Sequence, residues 1–268
     1  MKPGIELLYE DLTYEVIGCA FEAFKEVDVG FDEIKYHKVF HRNLLGKGLK
    51  AEYKVPACLD YLGKKIGEFE IDEIIENKLI VELKSIQTVF LPENQAQLIT
   101  YLRLKGMRLG LLINFGLHKA FTKRMIFDAQ RTGDFEKWDN NYFQSLPSRE
   151  SLDRVTAATK AVDEVLGPGY RSKFYKAALK IEFDRNRIKY DDHVFATVKA
   201  ANIQFDPMEI DYWLIENSLL LGVLAGNDKP RVYDIFRMRS YLKKLDLTHG
   251  LIAFWSTKNL QLSGIRVR

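Results

Sequence analysis

In the stretch EIDEIIENKLIVELK, Asp72 is separated by nine residues from the triplet Glu82-Leu83-Lys84. Successive side chains of a strand leave opposite faces, so Glu82 and Lys84 point together while Val81 and Leu83 point into the opposite core. Glu76-Asn77-Lys78 reads as a turn, which puts Asp72 on the neighbouring strand of a tight hairpin. Two carboxylates and an ammonium then converge at one end of a sheet. Carboxylate oxygens and a backbone carbonyl, that of Leu83, suit Mg²⁺ or Mn²⁺, ions that keep several waters and take their remaining contacts from substrate phosphate. Lys84 is placed to orient or deprotonate an attacking water and to steady charge building on phosphorus. A Glu and a Lys two apart on a strand are more often a solvated pair, so the triplet alone decides nothing.

The elements that must position these groups can be read around them. Val16, Ile17, Ala20, Phe21, Phe24 and Val27 recur at helical spacing, and Gly30 reads as the signal that ends that helix. A second amphipathic helix carries Tyr36, Val39, Phe40 and Leu44. A three-stranded meander is expected next, over Tyr53 to Leu62, Ile66 to Ile75 and Leu79 to Leu83. A helix opening near Pro92-Glu93 runs to about Lys105, and GLLINF gives a buried strand. The order α, α, three β, α, β implies a mixed sheet flanked by helices.

That unit occurs twice. Gly30, Phe31 and Tyr36 match Gly169, Tyr170 and Tyr175 at one constant offset, as Glu70-Ile71-Asp72 matches Glu209-Ile210-Asp211. After one inserted residue, Glu76-Asn77 pairs with Glu216-Asn217, Tyr101-Leu102 with Tyr241-Leu242, and Gly110-Leu111 with Gly250-Leu251. The helical patterns recur as well, in Val155, Ala158, Val162, Val165 and Leu166 and then in Tyr175, Ala178, Leu179 and Phe183. The division expected is residues 1–128, a polar connector at 129–152, and a second copy at 153–268. In that copy Gly222 replaces Glu82, Leu224 replaces Lys84, Ser172 replaces Glu33 and Arg237 replaces Gln97, with Asp211 kept. One carboxylate cannot hold a divalent ion against water, so the second copy is expected to be catalytically dead.

Composition bounds the rest. A chain of 268 residues with 47% hydrophobic and 29% charged residues is long enough for two globular domains with cores. The apolar runs Leu219 to Ala225 and Gly110 to Ile113 fall short of the ~20 residues that cross a bilayer, so no membrane partner is expected. Acids interrupt MKPGIELLYEDL where a secretory signal would be apolar, which favours a cytoplasmic protein. Cys19 and Cys58, both among apolar neighbours, read as structural. The five histidines show no zinc spacing and read as incidental. Lys and Arg number 18 against 19 acids over residues 1–128, but 19 against 14 over residues 153–268. Arg237, Arg239, Lys243 and Lys244 are a solvated helix face on one reading, and a phosphate-binding platform on the other.

The sequence resembles the PD-(D/E)XK nuclease superfamily, and within it the bacterial GxxExxY proteins. Gly30-Phe31-Asp32-Glu33-Ile34-Lys35-Tyr36 matches the naming motif. Gly67 to Asp72 resembles the strand bearing the family's aspartate, Ile80 to Lys84 its ExK strand, Gln97 to Tyr101 its glutamine-tyrosine helix, and Gly110 to Gly116 its closing strand. The resemblance implies two tandem restriction-endonuclease-like α/β domains. It implies that Asp72 and Glu82 bind metal, that Lys84 is the catalytic lysine, and that Glu33 adds a ligand or supports the site. Gln97 and Tyr101, on one helix face at i,i+4 spacing, would position metal-bound water or phosphate. Ile71 stands where the superfamily's nominal proline would be, and His37 where relatives often have an acid. The activity implied is Mg²⁺- or Mn²⁺-dependent hydrolysis of DNA or RNA by the first copy, with the second packing or holding substrate. The competing reading is a non-catalytic module that binds nucleic acid or protein. Fusion of two copies favours a monomer with internal pseudo-twofold pairing.

Overall fold

The computed structural model describes residues 8–128, 149–200, 203–226 and 228–267. The chain divides into two compact units, 1–129 and 130–268. Most of the expected connector lies outside the described residues, and its last part, from Arg149, belongs to a helix.

In the first unit, α1 (Glu10–Val27) and α2 (Glu33–Gly46) precede β1 (Ala51–Tyr61), β2 (Lys64–Ile75) and β3 (Leu79–Lys84). Then follow α3 (Pro92–Lys105), β4 (Leu109–Asn114) and β5 (Phe121–Ile126). The sheet runs in chain order, β1-β2-β3-β4-β5, with β3 and β4 parallel and the other pairs antiparallel. The crossover through α3 makes the one parallel pair possible. Alternation in β3 and β4 feeds two cores. Leu79, Val81, Leu83, Leu109, Leu111 and Ile113 pack with α1 and α2, while Ile80 and Leu112 pack with Leu98 and Leu102 of α3.

The three-residue β2–β3 loop is set by Glu76 and Asn77, both at positive φ (53° and 51°), with the Lys78 N–H donating to the Ile75 carbonyl at 3.0 Å. Glu216 and Asn217 repeat it at 46° and 56°. Glycine 30 does not cap α1, which stops at Val27 with Asp28 at φ 65°. It sits in the loop beyond, at φ 93°, as Gly169 does at 104°, where a side chain would be strained. Strand β5 lay outside the expected order because FTKRMI is an edge strand whose apolar residues do not alternate with its polar ones and whose side chains are exposed or half-buried.

The second unit holds α4 (Arg149–Leu166), α5 (Ser172–Arg185) and the short strands β6 (Tyr190–Asp191), β7 (Val194–Ala196), β8 (Lys199–Ala200) and β9 (Ile203–Gln204). It continues with β10 (Met208–Ile210), β11 (Trp213–Ile215), β12 (Leu219–Ala225), α6 (Val232–Lys244), β13 (His249–Trp255) and β14 (Leu260–Arg266). Its main sheet has the order β14-β13-β12-β11-β6, again with one parallel pair, β12 and β13. The long β1–β2 hairpin of the first unit is here broken into short pieces, β7 with β10 and β8 with β9. No helix among the described residues is long and apolar enough to cross a membrane.

A tyrosine clasp explains one repeated motif. The Tyr36 hydroxyl donates to the Asp28 carbonyl at 2.5 Å and accepts from the Phe31 N–H, and its ring stacks on Phe115 at 4.7 Å. Tyr175 does the same with Gly167 (2.8 Å) and Tyr170, and stacks on Trp255 at 4.3 Å. Each ring closes the loop between two helices onto the end of the fourth main strand, so these tyrosines serve the fold.

Candidate active site

Asp72 owes its position to two defects in the sheet. On one side, Tyr53 pairs with Glu73 and Val55 with Ile71, skipping Lys54, whose backbone is left-handed at φ 52°. On the other, the β2–β3 ladder ends at Glu73 and Val81. Beyond that last rung the Leu83 N–H donates to Asp72 Oδ2 at 2.8 Å. Asp72 Oδ1 accepts from the Lys54 ammonium at 2.5 Å. Lys54 also reaches Glu70 at 3.3 Å. Burial pulls the Lys54 ammonium down, but the hydrogen bonds and charges of Asp72 and Glu70 outweigh it and hold it above its ordinary range.

Glu82 projects from β3 toward α3 and is 2% exposed. Its Oε1 takes a hydrogen bond from the Lys84 ammonium and another from Gln97 Nε2 at 2.7 Å. Gln97 in turn donates to the Tyr101 hydroxyl at 2.8 Å, and that hydroxyl donates to the Glu70 carbonyl at 3.3 Å. Glu82 Oε2 is buried and has no partner. Burial, then repulsion from Asp72, pushes the Glu82 carboxyl up to about 8, against the pull of Lys84. Tyr101 is pushed up to about 12, chiefly by burial and then by the Glu82 charge.

Glu33, first residue of α2, accepts from the Ser85 N–H at 3.2 Å, just past the end of β3. Burial raises its carboxyl, with Lys84 opposing and Asp72 reinforcing. Asp72, Glu82, Lys84, Gln97, Tyr101, the backbone of Leu83 and Glu33 are therefore linked around the C-terminal end of β3, where Asp72 of β2 reaches across to the Leu83 N–H.

A buried carboxylate oxygen without a donor is costly, by about 1–3 kcal/mol. A cation beside it removes that cost, and hard oxygen donors suit Mg²⁺ or Mn²⁺. Glu82 fits such a group. Asp72 fits it once Lys54 withdraws from Oδ1. Among the described residues no three His, Cys, Asp or Glu side chains form a ready cation site. Two carboxylates, a carbonyl, water and phosphate are the set that a magnesium site of this kind would use.

Residues 10–125 match the model described as the PD-(D/E)XK nuclease superfamily, and residues 149–266 match it again. The chain belongs to the PD-(D/E)XK nuclease superfamily, in two tandem copies. No curated protein matches the sequence. A solved structure titled "Crystal structure of SSO0001" is 24% identical over 34% of this chain and 47% of its own length, with a TM-score of 0.29. The chain thus spans about half of that structure, a likeness too slight to carry an argument.

The second PD-(D/E)XK copy has lost more than its letters. Asp211 is kept in sequence, but its carboxylate is 78% exposed and paired with Lys176 of α5. The next residue, Tyr212, turns inward to the α6 side, where it packs with Met238 and Leu242. A Cβ at Gly222 would lie 2.7 Å from the Tyr212 ring. The room that Glu82 fills in the first copy is thus closed by an aromatic ring, and glycine at 222 is what admits it. Arg237, in place of Gln97, donates to the Tyr212 hydroxyl at 3.2 Å and pairs with Asp234 at 3.4 Å.

Several residues around the first site differ from their reading in the sequence. His37 and His41 are not incidental. One turn apart on α2, they share Glu73 Oε1, at 3.2 Å from His37 Nε2 and 2.9 Å from His41 Nδ1. Glu73 is fully buried, and His37 Nδ1 lies 4.0 Å from Asp72 Oδ1. The signal available was their i,i+4 spacing on the helix face toward the sheet. Lys54 gave no signal, since its reach depends on a backbone irregularity. Cys19 is buried as expected; Cys58 is exposed, because it lies on the solvent face of edge strand β1. Arg239, Lys243 and Lys244 are exposed, whereas Arg237 is half-buried and bonded within the unit.

Proposed function

We propose that the first copy hydrolyses phosphodiester bonds in DNA or RNA, using Mg²⁺ or Mn²⁺ held by Asp72, Glu82 and the Leu83 carbonyl. The observation that carries this is the buried, partnerless Glu82 Oε2 beside Asp72, with Lys84 on the other oxygen of the same carboxylate. The bound ion supplies Lewis acidity toward the scissile phosphate and toward water. Lys84, an ammonium paired with Glu82, would orient the attacking water and steady the charge that builds on the phosphoryl oxygens. Gln97 fixes the Glu82 rotamer and Tyr101 fixes Gln97, so the pair acts by positioning. Lys54, released from Asp72, offers a second ammonium to the phosphate. Glu33 supports the end of β3 through the Ser85 N–H. The motif Gly30 to Tyr36 supports the narrower placement among GxxExxY proteins. The second copy contributes no chemistry.

One observation favours the competing reading of a non-catalytic binding module. The two carboxylates that would hold the ion each already have an ammonium partner, Lys54 on Asp72 and Lys84 on Glu82. Nuclease assays on single- and double-stranded DNA and RNA, with Mg²⁺ and with Mn²⁺, separate the two. Lys84→Ala is expected to lower the rate by roughly a hundredfold to a thousandfold, as for loss of one transition-state donor, and Asp72→Ala to abolish it. Cleavage that survives both substitutions belongs to another protein, and no cleavage with any substrate leaves the binding module.

A further inference from the structure

Helix α6 carries a surface that its counterpart α3 lacks. Val232, Tyr233 and Phe236 are 67%, 65% and 60% exposed. The first copy has Pro92, Glu93 and Ala96 at those places. Arg239 and Lys244 are exposed where the first copy has Ile99 and Leu104, and exposed Lys243 follows the pattern of Arg103. Two aromatic rings on consecutive turns, bordered by three cations, have replaced a small and partly acidic face.

The Tyr233 ring does not stand alone. The Arg237 guanidinium lies 5.7 Å from its centroid and 5.4 Å from that of Tyr212, stacked between the exposed ring and the buried one. Asp234, itself buried, and the Tyr212 hydroxyl hold that guanidinium in place. The residues that fill the emptied site therefore also brace the exposed ring. Bracing lowers the entropy lost when something stacks on it.

We propose that this face of α6 binds an unpaired polynucleotide strand, with bases stacked on Tyr233 and Phe236 and phosphates against Arg239, Lys243 and Lys244. Charge complementarity points to a polyanion, since this half of the chain holds 19 basic against 14 acidic residues. The rings point to a single strand, because a duplex hides its base faces while every unpaired base offers one. The proposal deepens the nuclease reading by naming its substrate class, and it rests on that reading only for what happens to the strand afterwards.

The test uses the full chain in chelator, so that binding is read without cleavage. Fluorescence anisotropy is measured against labelled oligothymidylate, oligouridylate and a duplex of equal length. Tyr233→Ala with Phe236→Ala is expected to weaken single-strand binding roughly fivefold to a hundredfold per ring while leaving its salt dependence unchanged. Replacing Arg239, Lys243 and Lys244 by Gln is expected to reduce the slope of log K against log salt by about 2, from three phosphates at about 0.7 each. Weakening on either oligonucleotide supports the proposal. Unchanged affinity of the aromatic variant, or an equal loss on duplex, overturns it. So does a patch that governs self-association in sedimentation while strand binding stays constant. Asp72→Ala, expected to bind normally and not cut, keeps failure of the platform distinct from failure of the nuclease site.

Discussion

Replacing Glu82 by Gln isolates the electrostatic cost of the site. Burial, then the Asp72 charge, moves this carboxyl from 4.5 to about 8 in the folded protein. A folded-state value above the unfolded one means that the native state holds the proton more tightly. The stability this group contributes is complete below about pH 4.5 and is lost as pH rises toward 8. At about 1.4 kcal/mol per unit, and with the slope falling off as the folded group begins to titrate, the metal-free first unit loses about 2 kcal/mol between pH 6 and pH 8 from this group, less what relaxation around Lys84 recovers. Glu82→Gln lacks this contribution and has the shallower profile. All three tryptophans lie beyond residue 129, so tryptophan fluorescence does not report on the first unit. Hydrogen exchange of the β3 amides, Leu79–Lys84, corrected for intrinsic rates, does report on it. Saturating Mg²⁺ is expected to flatten the wild-type profile, because it favours the ionised carboxylate in the folded state. Equal pH slopes in wild type and Glu82→Gln would show that the charge is not buried as described.

Three other perturbations have definite outcomes. Lys54→Met frees Asp72 Oδ1 and should tighten Mn²⁺ binding by roughly tenfold, the worth of one charge-assisted hydrogen bond; calorimetry showing weaker binding would mean that Lys54 builds the site instead of guarding it. Tyr36→Phe leaves the Asp28 carbonyl and the Phe31 N–H without their partner and should cost the first unit about 1–2 kcal/mol, read by hydrogen exchange, with metal affinity unchanged. Gly222→Ala drives a methyl into the Tyr212 ring and should cost the second unit about 1–3 kcal/mol, a loss relieved when Tyr212 is also reduced to Val. Fluorescence of Trp213 and Trp255 follows that unfolding directly.

Alternation in VELK made the orientation of Glu82 and Lys84 legible, because each apolar neighbour had to enter a core. The repeated Glu-Asn pair likewise marked both hairpin turns, since both residues there take positive φ. What stayed hidden depends on contacts between distant segments. Lys54 reaches Asp72 from a left-handed position of its own in β1, where one rung of the ladder is skipped, and a mixed polar strand gives no sign of where that happens. Glu73 becomes a shared acceptor because α2 lies over β2, a fact of tertiary placement that histidine spacing alone does not convey. In the second copy, sequence alignment keeps Asp211 opposite Asp72, but the chain turns so that Tyr212 is the residue facing inward.

The two copies separate what the fold requires from what the chemistry requires. Both keep the tyrosine that clasps its glycine loop and stacks on an aromatic at the end of the parallel strand pair, although the aromatic changes from Phe115 to Trp255. Both keep a hairpin loop with two consecutive residues at positive φ. Neither feature touches the charged cluster, and each satisfies buried polar groups or an uncommon backbone, so losing it would cost stability in either copy. The charges behave oppositely. A carboxylate held as Glu82 is held, with one oxygen unsatisfied, burdens the metal-free fold. In the second copy the same space is filled instead by the Tyr212 ring, packed against Gly222, with no carboxylate to leave unsatisfied. The motif from Gly30 to Tyr36 divides along that line: its glycine and tyrosine recur as Gly169 and Tyr175, while Glu33, whose carboxylate meets the end of β3, gives way to Ser172.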